Sequence, residues 1–153
     1  MGGEATRAAG ERLLSIALAL ASGTVLAIAR WLEPAAAGHG THTELGFAPC
    51  GVLVATGWPC PMCGMTTSFT LLARGDVLGA GVAQPFGVVL FLVTAGLFVV
   101  ALAEGIRPAG RWSRLDRHLS PRAGWIVLLG GIGILVGWSW KIAMLAPGGA
   151  LIP

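Results

Sequence analysis

At 153 residues, 55% of them hydrophobic and 11% charged, the chain has a mean hydropathy of +0.78. A water-soluble domain carries about 25% charged residues, so this chain lacks the polar surface to cover a globule in water and is expected to use the lipid bilayer as its solvent. The net charge of +3 comes from clustered arginine in an apolar chain, with no basic stripe of interleaved aromatics, and reads as membrane orientation rather than nucleic-acid binding.

In chain order, residues 1–12 read as a short tail carrying Arg7 and Arg12. A first apolar run over 13–32 follows, with Ser22, Gly23 and Thr24 mid-span. Its apolar stretch from Leu13 to Ala29 exceeds the ~7–15 residues of a secretory signal core, so the span is expected to be retained rather than cleaved. Residues 33–85 form a long connection. Within it Gly46 to Trp58 is almost wholly apolar, and Met65, Phe69 and Leu72 fall at helical spacing, with Thr66, Thr67, Ser68 and Thr70 largely elsewhere. This pattern predicts a short helix near 65–74, interfacial or re-entrant. Arg74-Gly75 reads as its stop and Asp76 as the cap of a further turn.

A second span over 86–103 starts behind Pro85, which the first turn of a helix tolerates. Residues 104–124 form a basic connection with Arg107, Arg111, Arg114, Arg117 and Arg122, and His118 sits among them. The third span covers 125–145, and 146–153 is a tail. Each span matches the ~20 residues a bilayer core requires, and Trp31, Trp125, Trp138 and Trp140 mark span ends as interfacial aromatics do. Gly133 and Gly137, with Gly130 one turn earlier, present a small-residue face for close helix approach, whether to the first two spans or to another chain.

Seven of the ten Lys and Arg residues lie in the tail and the basic connection; Arg30, Arg74 and Lys141 are the rest. The positive-inside bias therefore puts the N-terminus on the cytoplasmic side and the 33–85 loop outside the membrane. No ionisable residue occupies the centre of a span, as transport normally requires. The expected architecture is an all-α membrane protein with three transmembrane helices plus a short interfacial or re-entrant helix in the first outer loop.

The chemistry is concentrated in Cys50, Cys60 and Cys63. Pro59-Cys60-Pro61-Met62-Cys63-Gly64 has the spacing of one metal knuckle: two intervening residues let both sulfurs converge, proline pre-sets the turn, and glycine supplies the positive φ. Cys50 is the third candidate ligand, and His39 or His42 the fourth of a tetrahedral zinc site. Met62 and Met65 offer the soft sulfur that suits copper. Two alternatives stand beside metal. One is thiol–disulfide chemistry, for which a helix start just after Cys60 would lower a thiol pKa. The other is a non-enzymatic accessory or assembly subunit of a larger membrane complex. No nucleophile–base pair, phosphate loop or cofactor fingerprint points to an enzyme.

These residues carry a resemblance. Gly57, Pro59, Cys60, Pro61, Cys63, Gly64, Met65 and Thr66, with Cys50 upstream and the Arg74-Gly75-Asp76 helix end, resemble the core of a bacterial membrane-protein family known as domain of unknown function 2752. The resemblance covers roughly residues 48 to 103. Thr67 departs from it, standing where the family often has Arg. No activity is assigned to that family, so the resemblance implies membership alone.

Overall fold

The computed structural model describes residues 2–145, apart from the side chains of 2–5, 7 and 8; the expected tail 146–153 lies outside the described residues. Among the described residues seven helices and two short 3₁₀ turns follow one another: α1 (Gly2–Trp31), a 3₁₀ turn (Thr41–Leu45), α2 (Gly51–Thr56), α3 (Met65–Ala73), α4 (Val77–Ala83), α5 (Pro85–Ile106), α6 (Arg111–Leu119), a 3₁₀ turn (Ser120–Arg122) and α7 (Ala123–Leu145). There is no strand among the described residues, and the helical runs Ala9–Trp31, Pro85–Ile106 and Arg111–Leu145 are long and apolar enough to cross a membrane.

The helices extend further than the apolar runs do. Residues expected as an N-terminal tail belong to α1, and most of the basic connection is helical, with α6 running through Ser120–Arg122 into α7. Ala, Glu, Arg and Leu are good helix formers whatever the solvent, so hydropathy marks where the membrane is crossed and propensity marks where the helix stops. Glu104 organises the turn between α5 and α6. Its buried carboxylate accepts from the backbone N–H groups of Ala109 (3.0 Å), Gly110 (2.8 Å) and Arg111 (3.3 Å) and pairs with the Arg111 guanidinium at 2.9 Å. Arg12 donates to the Gly105 carbonyl and Trp112 to the Ser15 hydroxyl, tying α1 to the same end.

Helices α1 and α5 form the central pair. Lipid gives apolar side chains little reason to leave it, so close contact between small residues has to hold such a pair together. Ala101 is fully buried, Ala19 and Ala29 nearly so, and Gly23 lies against the Phe98 ring, where an added Cβ would come 2.9 Å from Cε2. The short helix α3 packs against both. Met65 and Phe69 are buried as its spacing predicts, and Phe69 meets Phe91 edge-on with ring centroids 5.3 Å apart. Its polar residues are buried too. Thr67 bonds Thr41 at 2.8 Å, Ser68 donates to the Gln84 carbonyl at 3.1 Å, and Thr70 returns to its own helix at Thr66. Sequence periodicity placed these hydroxyls on a separate face, but α3 is tucked into the bundle, with protein partners supplying what water would.

Helix α7 leans on the start of α5. Gly133 and Gly137 open the space for this, and Phe86 fills it: a Cβ at 133 would lie 2.6 Å from the Phe86 ring. Most of the remaining α7 surface is exposed and apolar, Val127 at 74% for instance, as a lipid-facing helix requires.

Candidate metal centre

The start of α5, the end of α7 and the helix α3 enclose the cysteine turn. Trp138 Nε1 donates to the Pro59 carbonyl at 2.8 Å and Gln84 Nε2 donates to the Pro61 carbonyl at 3.0 Å, so two carbonyls of the knuckle are held by side chains from other elements. The turn closes on itself through Cys63 N–H to the Cys60 carbonyl (3.0 Å) and Met65 N–H to the Met62 carbonyl (3.1 Å). Gly64 has φ +89°, and a Cβ there would come 2.6 Å from the Ala83 carbonyl oxygen, so conformation and space both demand glycine. Gln84 is fully buried; its Oε1 makes no hydrogen bond among the described residues and rests against Gly137, where a Cβ would approach to 2.8 Å.

This scaffold places Cys60 Sγ 3.6 Å from Cys63 Sγ. Cys50 heads α2 and swings its sulfur onto the same point, so all three Sγ atoms lie within 4.8 Å of one another, and all three are free thiols. With metal–sulfur bonds of ~2.3 Å, the edge of a tetrahedral site is about 3.8 Å. The arrangement therefore fits a single thiophilic ion with little movement.

Electrostatics separates the thiols. The Leu53 backbone N–H directed at Cys50 draws its pKa down to about 7, opposed by partial burial and assisted by bonds from Cys63 and Cys60. Burial, then the hydrogen bond with Cys50, pushes Cys63 up to about 12. One negative charge is thus favoured on Cys50, supported by a protonated neighbour, before any ion arrives. The helix-start thiol that the structure activates heads α2, not α3.

A cavity of about 490 Å³ opens over the sulfurs, and His39, His42, Met62 and Met65 contribute to its wall. The two histidine rings are not among the donor atoms within 4.8 Å of each other. Burial, then the charge of Lys141, lowers the His39 pKa and favours its neutral, ligating form. His42 Nε2 lies 3.2 Å from the Ala48 carbonyl. Residues 50–98 match the family described as Protein of unknown function (DUF2752). No curated protein and no solved structure matches the chain. Within the DUF2752 segment lie all three cysteines and Gln84, while Trp138 and Lys141 come from outside it.

Sequence reading found the three cysteines and the histidine-bearing wall but missed the residues that hold them. Lys141 carried a signal, since an ionisable residue within an apolar span asks for an explanation. Gln84 and Trp138 carried none, one reading as a loop residue and the other as an interfacial anchor.

Proposed function

We propose that this is a multi-pass protein of the bacterial cytoplasmic membrane, with its N-terminus inside, that binds one metal ion, zinc or copper, through Cys50, Cys60 and Cys63 on the outer side. The convergence of three free thiols within 4.8 Å supports this reading most strongly. A knuckle held by Trp138 and Gln84 keeps two sulfurs in place before binding, so less ordering has to accompany the ion. The fourth position belongs to the cavity side, where His39 and His42 are the nitrogen donors at hand. Elemental analysis of protein purified without chelators is expected to give about one zinc or copper per chain in the wild type and none in Cys60→Ser. A wild-type protein that is metal-free and also refuses added zinc and copper(I) defeats the reading.

Thiol–disulfide exchange is the second reading, favoured by the Cys50 thiol near pKa 7 and the 3.6 Å Cys60–Cys63 separation. In that reaction two thiols lose their protons and an electron pair to an external disulfide, which is itself reduced. Counting alkylated thiols by mass, with and without reductant, separates the cases. Three thiols alkylated without reductant exclude a resident disulfide, whereas a metal shields them until it is chelated.

A further inference from the structure

Lys141, in the last part of α7, is 3% exposed. Its ammonium donates to the Gly38 carbonyl at 2.8 Å and the Ala83 carbonyl at 3.0 Å. Two of its three donors are thereby used on neutral acceptors, and the charge itself is left unbalanced. Among the described residues the ion pairs are Arg74–Glu33 and Arg111–Glu104, so Lys141 has no carboxylate within ion-pair distance. Asp76, which lines a cavity shared with Lys141, is exposed to solvent and caps α4 through the Gly79 N–H at 2.8 Å, without pairing with the ammonium.

Burying a cation is costly unless an anion accompanies it. The neighbouring group that can become anionic is the thiol centre. A Cβ built at Gly64, the residue after Cys63, would lie 3.2 Å from Lys141 Nζ, so the ammonium is packed directly against the backbone of the knuckle. The Lys141 charge also acts on His39, in the wall of the cavity over the sulfurs.

We propose that Lys141 is the counter-cation of the three-cysteine centre and matches that centre to a divalent ion. This rests on the metal-binding reading and deepens it. Three thiolates around a divalent ion leave one net negative charge, which one ammonium neutralises. Around monovalent copper they leave two, and around trivalent arsenic none. With Cys63 and Lys141 both buried, the neutral total is the favoured one, which makes zinc rather than copper(I) the better-matched ion. Lys141 ligates nothing in this scheme. It is a positioning residue that acts through charge.

The experiment varies the charge of the complex at constant ligand set. Full-length protein in detergent is titrated with cadmium(II), copper(I) under competition, and arsenous acid, which condenses with three thiols and releases water. Wild type is compared with Lys141→Gln, which keeps a donor for the carbonyls, and Lys141→Arg, which keeps the charge. Lys141→Gln is expected to weaken cadmium on the order of tenfold or more and copper(I) at least as much. Arsenic binding should stay within about twofold, and Lys141→Arg should restore cadmium. Equal losses for all three probes would make Lys141 a structural staple and overturn the proposal, as would unchanged cadmium affinity in Lys141→Gln. A wild type that takes up none of the three probes is a different failure, that of the metal reading itself. Thermal unfolding of both variants shows whether a loss reflects misfolding. If Lys141→Gln does not fold, loss of the cadmium-over-arsenic preference in Lys141→Met decides the matter.

Discussion

Single atoms set the chemistry of the cysteine turn. The Leu53 N–H, burial and the neighbouring thiols move two cysteines in opposite directions from the ordinary value of 9.0, Cys50 to about 7 and Cys63 to about 12. For Cys50 the folded state binds its proton less tightly than the unfolded state, so its stabilising contribution grows as pH rises from 7 and is complete above 9. For Cys63 the folded state holds its proton more tightly, so that contribution is complete below 9 and is lost as pH climbs toward 12. The metal-free protein is therefore expected to gain stability from pH 7 to about 9 and to lose it above. Thermal unfolding midpoints of chelator-treated protein, set against those of Cys50→Ser, check this, since the serine variant should lack the rise below 9. Cysteine type and spacing already pointed to the turn, but which thiol ionises first was hidden, because it depends on a Leu53 N–H and on burial created by distant segments.

At the scale of elements, short helices placed between long ones do the positioning. Helix α3 was visible from Met65 and Phe69 at helical spacing and from the Arg74-Gly75 stop, and Asp76 caps α4 as its position predicts. The burial of Thr67 and Ser68 was not visible, because hydroxyls read as surface until partners such as Thr41 and the Gln84 carbonyl arrive from elsewhere. At the opposite end, the α5–α6 turn depends on Glu104, 3% exposed and holding three backbone N–H groups and one guanidinium. Glu104→Ala strands the three backbone N–H groups and removes the carboxylate partner of Arg111, whose guanidinium keeps the Ala103 and Arg107 carbonyls. The expected cost is about 2–3 kcal/mol, seen as a lower unfolding midpoint in detergent. Metal stoichiometry at the cysteine end should be unchanged, since the variant touches nothing there.

For the molecule as a whole, charge and chemistry lie at opposite ends of the bundle. Arg12, Arg111 and Trp112 gather at one end with Glu104, while Lys141, Trp138 and Gln84 gather at the other around the cysteines. Short arginine-rich segments stay on the cytoplasmic side during insertion. A membrane-impermeant maleimide is therefore expected to reach the chelator-treated thiols from the outside of intact spheroplasts and to be blocked in sealed inverted vesicles. Labelling only in inverted vesicles would reverse the proposed orientation.

Hydropathy, arginine placement and cysteine spacing are properties of the chain alone, and they were sufficient for three membrane-crossing helices, a short helix between the first two, and a thiol knuckle near 60–63. Each reflects local physics: an apolar run of bilayer length, a helical period, a proline–glycine turn. What needed tertiary structure was every relation between segments far apart in the chain. The arrival of Cys50 beside Cys60 and Cys63 depends on how the 33–85 loop folds back on itself, while the filling of the Gly133–Gly137 face by Phe86 and the burial of Lys141 behind Gly64 depend on how α7 leans on α5. Glycine and lysine in an apolar run show that room or charge is present; only packing decides what occupies the room and what answers the charge.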